Sequence, residues 1–180
     1  DELATAFPAV SIAAGNQAVV DSSDIVFLAI RPQIAAGVIS GLKFRDGHII
    51  VSLVAGMSVK IVESLIAGQI PVIRAIPLPS VETCSCATPI TPPHDEIAEL
   101  FDALGSSISV EDESRFDAYV AGSAVMATYF GIVKAAAGWM VANGVEKADA
   151  DRYFRNLFGN LGDVMRGRPE LSVDQLRKDH

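Results

Sequence analysis

The sequence predicts an α/β fold in which a doubly wound parallel sheet is followed by an all-helical region. Over residues 1–110, short apolar runs bounded by turn residues alternate with helical patterns, which is typical of a sheet covered by helices. Over residues 111–180 only helical patterns occur. The chain has 180 residues and is 50% hydrophobic, so it can bury a substantial core.

The first segment leads into the sheet. Residues 1–6 have the pattern of the end of a helix, and residues 10–13 that of a short strand. Residues 15–21 form a turn and a short helix. A parallel sheet needs further strands before this point, so we expect the chain to be part of a longer protein.

The apolar run at residues 25–30 is the best defined strand. Asp24 precedes it and Arg31 and Pro32 follow it, which suits a central strand buried on both faces. Pro32 has no amide hydrogen and biases Arg31 towards an extended conformation, so the strand must end there. Ligands bind at the carboxyl edge of open parallel sheets, and Arg31 is placed to meet an anionic one. A solvated loop arginine explains the same pattern equally well.

A second strand, at residues 48–54, leads into a small loop and a helix at residues 58–67. Gly56 lets the backbone approach a ligand closely, and Ser58 can cap the helix. The N-terminal amides of that helix favour negative charge. Two such junctions in succession indicate a binding edge, although tight turns alone would give the same pattern.

The remaining elements of the first region continue the alternation of helix and strand. The helices are expected at residues 34–40 and 95–104, and the strands at 71–76, 83–90 and 108–110. The acidic run Glu111, Asp112 and Glu113 marks the expected boundary between domains at 1–110 and 111–180. We interpret this run as a solvated face or a first helical turn, in preference to a catalytic acid pair.

The residues between Asp117 and Asn143 are almost uniformly apolar or small, and Lys134 is the only charge among them. The uncharged part, residues 118–133, is shorter than the roughly 20 residues that a bilayer requires. We therefore expect a helix that is buried on every side, which in a chain of this size suggests a partner subunit. Apolar residues at helical spacing over 150–165 predict a further helix, whose aromatic stripe is expected to be core.

Charge and cysteine content exclude several classes of function. The net charge of -8 and the pI near 4.8 argue against a nucleic-acid or anionic-membrane surface. Cys84 and Cys86 are too close in sequence for an easy disulfide, and we interpret them as buried or strand residues. The three histidines are scattered, so no metal site is predicted. A reduced, cytoplasmic setting is expected.

The segments DIVFLAIRPQ, HIIVSLVAGMS and PVIRAIPLPS resemble, in order and spacing, the nucleotide-binding domain of pyrroline-5-carboxylate reductases. That family carries strands ending in Ala-Val-Lys-Pro, Ser-x-x-Ala-Gly and Arg-x-x-Pro-Asn. The resemblance implies a partial Rossmann-type sheet and a helical dimerisation domain, with the family's Gly-x-Gly-x-x-Gly turn and Pro-Gly-Gly loop absent from these residues. It implies NADP or NAD as cofactor, a small-molecule substrate and a homodimer, and neither nucleic acid nor membrane as a partner.

The resemblance also implies site residues. Asn16 corresponds to a residue that contacts the adenosine half of the cofactor. The segment from Ser123 to Tyr129 corresponds to Ser-Gly-Ser-Gly-Pro-Ala-Tyr at the substrate pocket, and Glu170 to a substrate-side acid. The expected contacts are to substrate for Ser123 and Glu170, and to cofactor for Asn16, Ala29, Ile30, Arg31, Pro32, Ala55 and Gly56. No catalytic residue is assigned, because hydride transfer is carried by the cofactor.

Three departures from the family pattern bear on function. Leu78 stands in place of an Asn, and Val125 and Met126 stand in place of Ser and Gly. These changes predict a smaller pocket that binds a carboxylate less well. The leading hypothesis is a reductase of a cyclic imine such as 1-pyrroline-5-carboxylate, giving proline, and a non-catalytic dimeric relative comes next. The third is a dehydrogenase that uses Lys134, although Gly138 stands where its motif requires Asn.

Overall fold

The computed structural model describes residues 2–179 and divides into two compact units between Ala121 and Gly122. The first unit is a sheet with helices, and the second is entirely helical. The domain boundary expected from the sequence lies after residue 110. The compact units divide later, because contacts to the sheet hold the beginning of the helix that starts at Glu113.

The first unit is built on a five-stranded mixed sheet, which confirms the predicted α/β fold class. The strands follow one another in the order of the chain. The first three are parallel to each other, the fourth is antiparallel to the third, and the fifth is parallel to the fourth. The strands are β1 (Ile25–Leu28), β2 (Ile49–Ser52), β3 (Val72–Ala75), β4 (Cys86–Thr91) and β5 (Gly105–Ser109).

Helices lie on both faces of this sheet. Neighbouring residues of one strand belong to different apolar clusters, as Ile50 and Val51 of β2 show. The Ile50 cluster includes Ile39 and Val62 from two helices, and the Val51 cluster includes Phe101 from a third. The helices that begin in this unit are α1 (Glu2–Ala6), α2 (Asn16–Asp21), α3 (Pro32–Ser40), α4 (Val59–Leu65), α5 (Asp95–Asp102) and α6 (Glu113–Ser123).

The first part of the chain departs from expectation in two places. Residues 10–13 form no strand. β1 is not central, since among the described residues only β2 pairs with it, and β1 therefore lies at an edge of the sheet. β1 is also not buried on both faces: Val26 and Leu28 are buried, but Phe27 is 40% exposed.

The segment before β4 was also predicted incorrectly. Thr83, which was expected to begin a strand, ends a 3₁₀ turn, Pro79–Thr83, and β4 begins only at Cys86. Cys84 follows this turn in a left-handed conformation with φ 49° and is exposed, whereas Cys86 is buried as expected. Gly105 opens β5, and a Cβ atom there would lie 2.3 Å from the carbonyl oxygen of Cys86. Only glycine permits that approach of the two strands.

The second unit consists of α7 (Val125–Ala142), α8 (Lys147–Gly167) and α9 (Val173–Asp179). α7 and α8 pack through aromatic rings, with Tyr129 edge-on to Phe158 at a centroid distance of 5.3 Å. The stripe predicted to be core is only partly so. Tyr153 and Met165 are 55% and 54% exposed within this chain.

α7 is largely exposed within this chain, and its burial by a partner subunit stays a prediction. Ala137 is its buried residue, while Phe130 and Trp139 are 67% and 69% exposed. The run Glu113–Ala142, which includes α6 and α7, is long and apolar enough to cross a bilayer by length and composition. One such helix is weak evidence for a span, and Lys134 lies within it. Among the residues that the structure describes, α7 thus presents several exposed large apolar side chains.

Candidate functional site

The two predicted ligand-binding junctions lie side by side at the carboxyl ends of β1 and β2. Leu28 is in register with Ser52, and the N–H of Leu53 donates to the carbonyl of Leu28 at 3.2 Å. The chain leaves the sheet immediately after these residues in both strands. The parallel pairing therefore brings residues 29–32 next to residues 53–58, as a common binding edge requires.

The first junction turns directly into a helix. Arg31 is the N-cap residue of α3, with an extended backbone at φ -67° and ψ 138°, and Pro32 is in its first turn. Proline suits this position because its missing N–H would have no partner within the helix. Ala29 and Arg31 are exposed and Ile30 is half-buried. The Arg31 guanidinium is thus a solvent-facing cation at the sheet edge.

The backbone of the second junction is open to solvent at Gly56. Gly56 has φ 74°, and a Cβ atom built on it would meet no atom within 4 Å. Ala55 is exposed, whereas Met57 is buried and fixes the loop to the core. The hydroxyl of Ser58 accepts a hydrogen bond from the N–H of Ile61 at 3.3 Å, so Ser58 is the expected cap of α4.

Asn16 and Ile30 line the same small cavity. Asn16 opens α2 and is exposed at the surface. The cavity has a volume of about 80 Å³, and apolar side chains from α2, β1 and α3 form the rest of its wall. Two of the predicted cofactor contacts are therefore neighbours in space, although they are 14 positions apart in the sequence.

A buried ion pair lies next to the second junction, and the sequence analysis did not identify it. Arg74 lies in β3, whose four residues are all buried, and its side chain is 6% exposed. Its Nη1 atom donates to Glu113 Oε1 at 2.7 Å and to Asp117 Oδ1 at 3.1 Å. The guanidinium also lies over the ring of Phe116, 4.7 Å from its centroid. Three residues of the first turns of α6 thus enclose one strand cation.

Glu113 has a second role at the start of α4. Its Oε1 atom also accepts a hydrogen bond from the backbone N–H of Val59 at 2.8 Å. The N-terminus of α4 was expected to favour a ligand's negative charge, but a carboxylate of this chain already binds there. Glu113 is therefore not on a solvated face. The available signal was Arg74 itself, since a lone cation in an apolar strand requires a counter-ion.

Asp112, the middle residue of the acidic run, acts locally. Hydrogen bonds from the side chain and the backbone N–H of Ser114 hold the pKa of Asp112 below its ordinary value, and Arg115 adds a smaller electrostatic contribution. The backbone N–H bond measures 2.8 Å. Asp112 is a turn residue that orders the start of α6, and Glu111 beside it is exposed.

The two predicted substrate contacts lie on different elements. Ser123 is the last residue of α6 and is half-buried. Glu170 is exposed in the turn between α8 and α9. Their contact with a substrate stays a prediction.

The alternative functions depend on Leu78 and Lys134. The backbone N–H of Leu78 donates to Cys86 Sγ at 3.2 Å. The side chain of Leu78 is apolar, whereas the family pattern has an amide at this position. Lys134 is exposed on α7. Within residues 2–179, no three His, Cys, Asp or Glu side chains are grouped closely enough to hold a metal ion.

Comparison with known proteins agrees with this geometry. The model of a family described as NADP oxidoreductase, coenzyme F420-dependent, matches residues 1–56, which include the first junction and the second as far as Gly56. The pyrroline-5-carboxylate reductase of Methanosarcina acetivorans is 29% identical over 152 residues, covering 78% of this chain and 56% of that protein. The chain is therefore similar to pyrroline-5-carboxylate reductases over most of its length.

Solved structures show the same fold. The 1-pyrroline-5-carboxylate reductase of Streptococcus pyogenes superposes with a TM-score of 0.80 at 24% identity, covering 92% of this chain and 65% of that one. The pyrroline carboxylate reductase of Plasmodium falciparum, solved with NADP bound, superposes with a TM-score of 0.77 at 12% identity, covering 92% and 65%. This chain therefore spans less than two thirds of the length of these reductases.

Proposed function

We propose that this protein is an NAD(P)H-dependent oxidoreductase that transfers hydride to a cyclic imine such as 1-pyrroline-5-carboxylate, giving proline. The observation that carries the proposal is the pairing of the two junctions, with the Arg31 cation on one and the open backbone of Gly56 on the other. The matched family of NADP oxidoreductases and the names of the relatives support the same activity.

The residues present fit a nicotinamide dinucleotide. A dinucleotide needs a cation near its phosphates and a stretch of backbone that its nicotinamide ring can approach closely. Arg31 provides the cation and Gly56 the open backbone, on neighbouring loops. Asn16 and Ile30 line a cavity on the β1 side, where the adenosine half would lie. When bound, the cofactor supplies the hydride, and the protein contributes position and electrostatics.

The substrate side of the proposal rests on the family pattern. Ser123 and Glu170 would contact the substrate by hydrogen bonding and charge. Val125 is 64% exposed and Met126 40% exposed, and they present apolar side chains where the family has Ser and Gly. We propose that the imine is bound with a weaker hold on its carboxylate than in the family.

The helical domain, proposed from the sequence to comprise residues 111–180, would form a homodimer. Phe130, Ile132 and Trp139 are each more than half exposed on α7, and a second copy would cover this surface with the same residues. Sedimentation velocity at increasing concentration should show a dimer, and Trp139→Glu should shift it to monomer. Binding of the wild-type protein to anionic vesicles, without dimerisation, would contradict this part of the proposal.

The activity is tested by following the oxidation of NADPH and NADH with 1-pyrroline-5-carboxylate. Turnover would establish the reductase. Cofactor binding without turnover would indicate another substrate. The absence of both would favour the alternative of a dimeric relative without catalysis, for which Leu78, Val125 and Met126 are the supporting observations. Because both cysteines are free, the assay is expected to proceed equally well in reducing buffer, in keeping with a proposed cytoplasmic setting.

A further inference from the structure

Glu113 joins three elements of the first unit through one oxygen atom. Glu113 Oε1 accepts from Arg74 Nη1 on β3 at 2.7 Å and from the N–H of Val59 on α4 at 2.8 Å. Glu113 itself opens α6. An acceptor shared between a guanidinium and a backbone amide forms two charge-assisted hydrogen bonds, which are stronger than neutral ones.

Val59 is the first residue of α4 and comes three positions after Gly56. The 55–58 loop is preceded by Val54, which is 3% exposed and part of the core. Met57 and Val59 also pack against the core, and Glu113 adds a hydrogen bond to the Val59 amide at the α4 end of the loop. The segment in between includes Gly56, whose exposed backbone faces open space.

The carboxylate is in turn held in place. Arg74 is buried, and Phe116, which is fully buried, supports its guanidinium from one side. Asp117 provides a second carboxylate for Arg74, but no bond to the loop is formed by its Oδ1 atom in the part of the chain that the structure describes. Glu113 and Asp117 thus share one partner and differ in whether they reach Val59.

We infer that Glu113 is a positioning residue for the reaction. It holds the 55–58 loop in the position at which the loop backbone contacts the nicotinamide ring. This inference rests on the proposed function. Arg74 fixes Glu113, Glu113 fixes Val59, and Val59 fixes the loop. The helix α6 is thereby coupled to the cofactor site without touching the cofactor.

Hydrogen exchange tests the position of the loop in the absence of any ligand. Glu113→Ala and Asp117→Ala each remove one carboxylate from Arg74, but only the first frees the Val59 amide. In Glu113→Ala, exchange at Val59 and the preceding loop amides should be roughly tenfold or more faster than in the wild type. In Asp117→Ala it should be unchanged there. Equal acceleration in both variants, or acceleration spread over the whole sheet, would overturn the inference.

Glu113→Gln is the conservative variant and covers the case in which Glu113→Ala does not fold. Its amide oxygen can still accept from Val59 but without charge, so exchange at Val59 should be a few-fold faster and confined to the loop. Exchange at the wild-type rate in Glu113→Gln, if Glu113→Ala cannot be obtained, would count against the charge-assisted bond that the inference requires.

NADPH titration then links the loop to the site. Glu113→Ala should weaken binding roughly tenfold and Asp117→Ala less than twofold, because only the first releases the loop. If both variants bind as tightly as the wild type, the inference fails. If the wild type binds no NADPH while the exchange pattern is as expected, the proposed function fails and the loop contact stands.

Discussion

Gly56→Ala offers a direct test of the cofactor site. Gly56 has φ 74°, a conformation that costs a residue with a Cβ atom about 1–2 kcal/mol. No atom lies within 4 Å of the added methyl group, so no further loss of stability is expected in the free protein. For a chain of this size the melting temperature should fall by about 2–4 °C for each kcal/mol.

The effect on binding should be larger than the effect on stability. A methyl group in the open space above Gly56 would contact a bound ring, and overpacking of one methyl group costs about 1–3 kcal/mol, or roughly 5- to 150-fold in affinity. The assay is a fluorescence titration with NADPH, accompanied by thermal unfolding of the same samples.

Gly47→Ala is the matched control for this prediction. Gly47 has φ 90° and lies in the turn before β2, and the nearest atom to an added methyl group is Arg45 Nη1 at 3.8 Å. It should lose a similar amount of stability and keep its NADPH affinity. If Gly56→Ala bound NADPH as tightly as Gly47→Ala, the Gly56 backbone would not be part of the site and the reasoning would be refuted.

Three further predictions follow from single residues. Arg31→Ala should weaken NADPH binding roughly tenfold or more and reduce its salt dependence in titrations, whereas Arg115→Ala, which removes a guanidinium that is 82% exposed, should not. Gly105→Ala should lower the free energy of unfolding in urea by about 3 kcal/mol or more, because its methyl group would lie 2.3 Å from a backbone oxygen, while Gly15→Ala, with nothing within 4 Å, should be near neutral. The lowered pKa of Asp112 means that its ionised form favours the folded state above the ordinary carboxyl range, an effect lost as the pH falls through the lowered pKa. Ser114→Ala should raise that pKa, as followed by NMR titration of the Asp112 carboxyl carbon; an unchanged pKa would contradict the assignment.

Most of the strands and the two junctions that follow β1 and β2 could be predicted because they depend on local patterns. The run at 25–30 and the loop at 55–58 are defined by apolar residues and by Pro or Gly beside them, and the structure places both junctions where the patterns indicate. What could not be predicted is which elements pack against one another. The position of β1 in the sheet depends on which strands pair with it, and the burial expected for α7 depends on a partner subunit, so neither follows from a local pattern.

The buried ion pair shows why part of the site could not be read from the sequence. Arg74 and Glu113 are 39 positions apart, and nothing local in the run Glu111, Asp112 and Glu113 distinguishes the acid that turns inward from its neighbours. Asp112 is used by its own turn and Glu111 is exposed. The register of α6 against β3 makes the choice, and that register is a property of the fold.

The charges at the two junctions indicate how a dinucleotide would be oriented. Beside the second junction, the Arg74 guanidinium pairs with the carboxylates of Glu113 and Asp117. These three side chains together carry a net negative charge. At the first junction Arg31 is an exposed cation. Phosphates are repelled from the former and attracted to the latter, so we expect them near Arg31 and the ring near Gly56. The same negative group would favour the positive charge that the ring acquires on giving up hydride, which a site lined only by cations would oppose. In Glu113→Gln that preference should weaken, so the ratio of NADP⁺ to NADPH affinity should fall even if the loop keeps its position.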